Sequence, residues 1–283
     1  MTQKVAAVTG SSNGIGYETS LMLARYGFHT YATMRKLDGG GEGSKQIIDI
    51  AKNENLPLQV IQLDVNNDKS VTDAINRIAK EKDKIDVVVN NAGYELMGAL
   101  EETSIDEMKA QFETNFFGAV RVMQTVIPMM RKQGGGIIVN ITSLGGRIAL
   151  PLNSPYHATK FALEGLSESI QYELEPFGIK VIVVEPGGVR SNILKNLKWA
   201  SRASGSRDSP YRSTQNSMSE YFKQWAQNLA HPSEVAKVIL QAVTSDNSDF
   251  RYIVGKDAAM ALESRRNMSD REFQNLIKKQ FSL

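Results

Sequence analysis

Seven short runs rich in β-branched and other apolar residues, at 4–9, 29–33, 58–63, 86–89, 136–141, 180–184 and 252–254, alternate with stretches of amphipathic helical spacing. Such alternation predicts repeated βαβ units, in which each strand returns through a helix to lie parallel to its predecessor. Val87-Val88-Val89 and Val181-Ile182-Val183-Val184 are apolar on both faces, as strands buried under helices on each side must be. The expected fold class is α/β, a doubly wound parallel sheet of about seven strands with helices on both faces.

At 283 residues the chain suits a single domain, 1–283, and no internal repeat divides it. One stretch breaks the pattern. Between 192 and 230 the sequence turns rich in Ser, Arg and Gln, with Trp199, Tyr211, Tyr221, Phe222 and Trp225 scattered through it, and reads as an inserted substrate lid. The regular pattern resumes at Pro232-Ser233-Glu234, a helix start. A Lys/Arg-rich tail, 261–283, is expected to end the chain as a helix with Phe273, Leu276 and Ile277 on one face.

Charge and composition exclude several partners. Lys and Arg number 33 against 31 Asp and Glu, so no dense positive field exists for nucleic acid. There is no cysteine to ligate zinc or iron–sulfur clusters, and three scattered histidines suggest no metal site. No apolar run approaches the ~18 residues of a membrane span, so a soluble cytoplasmic protein is expected.

The first strand runs into Thr9-Gly10-Ser11-Ser12-Asn13-Gly14-Ile15-Gly16, which opens a helix. Glycines there let the backbone turn tightly and approach a pyrophosphate seated on free N–H groups at the helix's positive end. Between a first strand and a first helix, this spacing predicts dinucleotide binding by Gly10, Ser12, Asn13, Gly14, Ile15 and Gly16. The second strand should end at the adenosine ribose, where NAD selectivity needs a carboxylate. Met34-Arg35-Lys36 stands there, with no acid before Asp38. The Arg35 guanidinium suits a phosphate, which favours NADP(H) over NAD(H).

Tyr156 and Lys160 are four residues apart in a strongly helical segment, so phenol and ammonium share one face. A nearby cation favours the phenolate, and Tyr156 could then exchange a proton with a carbonyl or alcohol oxygen. Ser143, at the end of the strand 136–141, can hydrogen-bond the same oxygen. His157 should point about 100° away around the helix, outside the chemistry.

On these residues the sequence resembles the short-chain dehydrogenase/reductase superfamily, in its single-domain Rossmann-fold branch with the Tyr-x-x-x-Lys motif. The resemblance is dense from Val5 to Ile193 and includes Leu63-Asp64-Val65, Asn90-Asn91-Ala92-Gly93, Asn115 and Glu185-Pro186-Gly187. It implies that Tyr156 is the acid/base, that Ser143 orients the carbonyl, and that Lys160 binds the nicotinamide ribose beside Tyr156. It also implies that Asn115 holds a water in a proton relay. Asp64 and Val65 would flank the adenine, Asn91, Ala92 and Gly93 would line the adenosine side, and Pro186, Gly187 and Val189 would pack on the nicotinamide.

Ser143-Leu-Gly-Gly-Arg147, Pro151-Leu-Asn-Ser-Pro-Tyr156 and the run after Lys160 look most like the hydroxysteroid and retinol dehydrogenase group, which implies a lipophilic ketone, aldehyde or alcohol as substrate. Alternatives are a 3-oxoacyl-type reductase, a non-catalytic NADP(H)-sensing protein, and an extended-branch sugar-nucleotide epimerase. The family further implies a homodimer or homotetramer through the helices around 107–131 and 154–175, the second presenting Phe161, Leu166, Ile170 and Leu174.

Overall fold

Adjacent residues of each central strand go to opposite sides of one sheet, and both sides are apolar. The computed structural model describes residues 3–37, 42–190, 197–203, 209–226, 229–281 and 283. Strands β1 (Val5–Val8), β2 (His29–Met34), β3 (Leu58–Gln62), β4 (Val87–Asn90), β6 (Gly136–Ile141), β7 (Ile179–Pro186) and β9 (Arg251–Val254) form a parallel sheet in the order 3-2-1-4-6-7-9. A separate ribbon pairs β5 (Leu96–Met97) with β8 (Lys198–Trp199). All seven strands read from the sequence are present, as the doubly wound arrangement requires.

Val5 and Ala7 of β1, Val88 of β4 and Ile138 of β6 pack under α3 (Asp68–Lys82) and α5 (Gly118–Gln133), through Val71, Ile75, Ile78, Val122, Val126 and Met130. Ala6, Val8, Val87, Val89 and Val139 pack on the other side. There they meet Leu23 of α1 (Gly14–Arg25) and Val235, Ile239 and Val243 of α8 (Pro232–Thr244). The sequence punctuates these helices. Asn67 caps α3, its side chain accepting from Ser70 N at 2.8 Å, and Gly134 ends α5 at φ 85°. α8 starts at Pro232 as read, with His231 and Glu234 forming a reciprocal cap. Among the described residues the remaining α-helices are α2 (Glu42–Asn53), α4 (Ile105–Phe112), α6 (Ser154–Leu174), α7 (Arg212–Trp225), α9 (Lys256–Asn267) and α10 (Asp270–Phe281).

Strand order reverses at β1, which lies between β2 and β4, so the loops after β1 and β4 part there and open a crevice. Thr9 ties these loops together. Its Oγ1 accepts from Asn91 N at 2.9 Å and Ala92 N at 3.0 Å.

α6 is fastened by charge as well as by packing. Arg251 on β9 reaches Glu164 at 3.2 Å and Glu168 at 2.6 Å on α6, and Glu185 on β7 at 3.3 Å; Arg147 also meets Glu185, at 2.9 Å. Glu185 is fully buried, and these arginines supply the charged partners that a carboxylate needs there.

Two readings of exposed faces change. Leu174 is buried, and Leu166 and Ile170 pack against the central core, because that stripe of α6 lies on the sheet; of the four only Phe161 is exposed. In the tail, Phe273 is buried as expected but Leu276 is exposed, and Phe281 is the residue that inserts fully. It joins Met97, Leu152 and Met218 with its ring edge on Tyr221, centroids 4.9 Å apart.

Ile138 is fully buried and Leu100 is 63% exposed, which separates core from surface energetically. Ile138→Ala should lower the unfolding free energy by roughly 2–5 kcal/mol, through lost transfer energy plus a cavity. Leu100→Ala should change it by less than about 0.5 kcal/mol. Urea unfolding followed by circular dichroism checks both.

Candidate functional site

The glycine loop is shaped by close approach. Gly10 and Gly14 adopt φ 68° and 60°, which favour glycine over residues with a Cβ. A Cβ on Gly10 would lie 2.9 Å from Ala92 Cα, and one on Gly16 would come within 2.5 Å of both Asn91 Nδ2 and the Gly10 carbonyl. The Asn91 amide donates to Thr9 O at 2.9 Å and Gly10 O at 3.2 Å, holding the loop in that shape. Asn13 precedes the first turn of α1 without a side-chain cap, and that turn has no acidic residue. Ser12 and Ile15 lie partly exposed along the same cradle. Its free N–H groups and positive helix end suit an anion.

Arg35 follows β2 with an exposed side chain, and β2 is joined to the loop by Ser11 N donating to Thr33 O at 3.0 Å. Asp64 and Val65 sit one strand further out, after β3. Asp64 Oδ1 accepts from Asn66 N at 3.0 Å, while Val65 is buried against Gly118, where a Cβ would come within 2.8 Å. Asp64 is therefore held in a turn, and Val65 faces α5.

Four polar residues converge beyond the ends of β4 and β6. Asn115 lies in a five-residue π-turn, Glu113–Phe117, closed by Gly118 N donating to Glu113 O. The extra residue in this turn aims the Asn115 side chain inward. Its amide donates to Tyr94 O at 2.9 Å and Thr159 Oγ1 at 3.3 Å, and its carbonyl accepts from Tyr94 N at 3.0 Å. Gly93 passes so close that a Cβ would lie 3.1 Å from that carbonyl. Ser143 caps the short turn Leu144–Gly146, its Oγ accepting from Gly145 N at 3.0 Å. Tyr156 and Lys160 share a face of α6 as their spacing requires. The Lys160 ammonium donates to Ile141 O at 2.9 Å and lies 5.7 Å from the Tyr156 ring centre.

Burial pushes the Tyr156 phenol above its ordinary range, the Glu95 carboxylate adds to the rise, and the Ser143 hydroxyl pulls it back. The cation expected to favour the phenolate is itself weakened. Burial lowers Lys160 to about 8, against the carboxylates of Glu164 and Glu95, which favour its charged form. In the protein alone Tyr156 is a protonated phenol, ready to donate.

His157 is buried and bonded on both nitrogens. Leu150 N donates to Nε2 at 2.9 Å, so Nδ1, 2.8 Å from Gly145 O, carries the proton. This neutral ring fastens the turn that holds Ser143 and takes no part in proton exchange.

On the far side, Pro186 ends β7 and Gly187 N donates to Val254 O at 2.8 Å. Val189 is buried and bridges to Ala230. One Asp257 oxygen accepts from both Gly188 N at 2.7 Å and the Trp225 indole at 3.0 Å, joining this loop to α7. Tyr211, Tyr221 and Phe222 pack with Trp199 into the cluster around Met97, Leu152 and Phe281. Parts of the segment read as a lid, 192–196, 204–208 and 227–228, lie outside the described residues, as does Asp38.

Glu95 escaped the sequence reading. Its side chain accepts from the Asn153 amide, three residues before Tyr156, and its charge is felt at both Tyr156 and Lys160. The available signal was a lone acid between the Asn-Asn-Ala-Gly run and the apolar pair Leu96-Met97. Among the described residues no cluster of three potential metal ligands exists, and no helix is long and apolar enough to cross a membrane.

Comparison with known proteins agrees with this geometry. A 3-ketodihydrosphingosine reductase of Bacteroides thetaiotaomicron is 35% identical over 256 residues, covering 90% of this chain and 89% of the relative. Human 17-beta-hydroxysteroid dehydrogenase type 1 is 34% identical over 269 residues, covering 89% and 77%. The crystal structure of a short-chain dehydrogenase from Streptomyces avermitilis superposes with a TM-score of 0.82 at 30% identity, over 98% of this chain and 97% of that one. The family model for short chain dehydrogenases matches residues 4–202, and with relatives this similar along nearly the whole chain, the protein belongs to the short-chain dehydrogenase/reductase family.

Proposed function

We propose that the protein is an NADP(H)-dependent oxidoreductase that interconverts a lipophilic ketone or aldehyde and the corresponding alcohol. The observation carrying this reading is the convergence of Ser143, Tyr156 and Lys160 at the end of β6, across the crevice from a glycine cradle that has no room for a Cβ. The cradle suits the pyrophosphate of a nicotinamide dinucleotide, which the N–H groups of Ser12 to Gly16 would hold, while Asp64 and the Val65 backbone would flank the adenine and Asn91, Ala92 and Gly93 would line the adenosine side. Arg35 stands where a 2′-phosphate would need a cation. Pro186, Gly187 and Val189 would form the wall behind the nicotinamide. When bound, that cofactor supplies or accepts the hydride at the carbon.

The protein's own groups handle the proton. Ser143 orients the substrate oxygen, and Tyr156 donates its phenolic proton to that oxygen during reduction or takes it back during oxidation. Lys160 holds a positive charge beside the phenolate left after donation, and Asn115 would hold the water through which the proton returns. Trp199, Tyr211, Tyr221 and Phe222 give an apolar wall that excludes water from the crevice. The described part of the 192–230 segment serves as a lid, tied down through Trp225 and Asp257. Exposed Phe161 and Tyr172 on α6 support self-association through that helix. A 3-oxoacyl substrate would use the same residues, whereas a sensor would have no need of the Ser143–Tyr156 pair.

Tyr156→Phe should lose roughly 10²-fold or more in kcat for NADPH-linked ketone reduction, followed at 340 nm, with NADPH binding retained. Arg35→Ala should raise the KM for NADPH and leave NADH kinetics nearly unchanged; equal losses with both would remove Arg35 from cofactor choice. kcat/KM for NADPH should fall as pH rises through about 8, where Lys160 loses its charge in the free enzyme. Glu95→Gln removes a carboxylate that favours the ammonium, so the fall should move to lower pH.

A further inference from the structure

The loop that leaves β7 carries Gly187 and Gly188, and neither has room for a side chain, because of residues far along the chain. A Cβ on Gly187 would come within 2.3 Å of Asp257 Oδ1, and one on Gly188 within 2.4 Å of both the Trp225 ring and Leu229. Gly255, at φ 108°, would put its own Cβ 2.5 Å from the same Asp257 oxygen. Three glycines make space for one carboxylate and one indole.

The hydrogen bonds converge on the same point. Asp257 Oδ2 accepts from Gly188 N at 2.7 Å and from the Trp225 indole at 3.0 Å, while Gly188 O accepts from Ala230 N at 2.9 Å. Asp257 stands in the first turn of α9, where an acid ordinarily steadies its own helix through the dipole. This one also reaches across to a loop and to the end of α7. The far end of the tail holds α7 as well: Tyr221 stacks on Trp225 with centroids 6.2 Å apart, and the edge of Phe281, which ends α10, meets Tyr221 at 4.9 Å.

The sheet register makes this loop matter to the chemistry. β6 and β7 pair with Ile141 beside Val184, so Ser143 and Pro186, each two residues further on, come side by side at the edge of the crevice. Gly187 and Gly188 continue from Pro186, next to the turn that holds Ser143. The depth of this loop sets how far a nicotinamide can settle toward Ser143 and Tyr156.

We infer that Asp257 is a positioning residue of the reaction, whose carboxylate clamps the loop at Gly188 to the lid helix at Trp225 and so couples cofactor binding to lid docking. The inference rests on the oxidoreductase reading above and adds to it a residue that no sequence motif marks. Asp257 exchanges no proton; it acts through Gly188 and Trp225.

Two replacements separate this role from simple helix stabilisation. Asp257→Asn keeps an oxygen able to accept both bonds but loses the charge, whereas Asp257→Glu keeps a first-turn acid that is one methylene too long for the gap between Gly187 and Gly255. With each variant shown folded by circular dichroism, NADPH Kd is measured by fluorescence titration, and kcat and KM by NADPH-linked ketone reduction. The indole's surroundings are read from tryptophan emission in a Trp199→Phe background, where Trp225 is the sole emitter. Asp257→Asn should stay within about threefold of wild type in NADPH Kd, whereas Asp257→Glu should weaken it about tenfold, the scale of a lost bond to a charged acceptor. The Glu variant should also raise the KM for the ketone and shift Trp225 emission to longer wavelength, while the Asn variant keeps both. Trp225→Phe leaves the Gly188 bond in place, so it should raise the ketone KM with NADPH Kd within about threefold of wild type. A Glu variant that matches wild type, or an Asn variant as damaged as the Glu variant, overturns the clamp and leaves the oxidoreductase reading standing. Trp225 emission that is the same with Asp, Asn and Glu at position 257 overturns the clamp whatever the activity. A wild-type protein that neither binds NADPH nor reduces a ketone overturns the oxidoreductase reading and the positioning role with it, and the order of the emissions then shows whether Asp257 still holds the indole.

Discussion

The contact on which the site depends is the bonding between Thr9 and Asn91 across the strand-order reversal. A hydroxyl at the end of β1 accepts two backbone donors from the loop after β4, and the amide from that loop returns bonds to Thr9 and Gly10 carbonyls. This reciprocal arrangement sets the depth of the glycine loop and removes the space a Cβ would need at Gly10 and Gly16. The same stretch of chain continues through Gly93, pressed on Asn115, and Tyr94, bonded to Asn115 at both backbone groups. Asn115 reaches Thr159, whose hydroxyl donates to Tyr156 O at 2.7 Å. The phosphate cradle and the proton donor thus hang from one continuous set of bonds.

α6 answers a different constraint. It carries Tyr156 and Lys160 deep into a region of low dielectric, and its opposite end must not slide. Glu164 and Glu185 are buried beside Arg251 and Arg147, and each has one oxygen with no partner. Such a network is poor evidence for net stability, because desolvation offsets much of the attraction. It is sensitive to loss of one member, since removing Arg251 would strand the buried Glu164 and leave Glu185 with Arg147 alone. Its value lies in fixing the position of the helix against β7 and β9.

Local spacing made much of this legible in the sequence. The Tyr156–Lys160 pair is a four-residue interval on a helix, and the glycine loop is a turn between two adjacent elements, so neither needs knowledge of distant chain. The seven strands were legible because both faces of each are buried. The Glu95–Asn153 contact was not, because the two lie 58 residues apart, and neither was the fastening role of His157, whose partners Leu150 and Gly145 lie 7 and 12 residues away. The direction of the Tyr156 shift was missed for the same reason. A lysine four residues on argues for a more acidic phenol, but burial and a carboxylate from another loop outweigh it. On α6 the apolar spacing was legible, but which residues of the stripe turn to the sheet, Leu174 above all, was not, since sheet and subunit offer the same chemistry to an apolar stripe.

The π-turn at Glu113–Phe117 carries a consequence for the lengths this chain can tolerate. It stores one residue more than a regular turn, so α4 and α5 continue one another with a phase offset. Deleting one residue there would heal the helix and rotate everything after it by about 100°. Val122, Val126 and Met130 would swing off the sheet while Asn115 lost its aim at Tyr94. Core and site are thereby registered to each other through a count of residues, and the stretch from Ile105 to Gln133 can change in composition far more readily than in length.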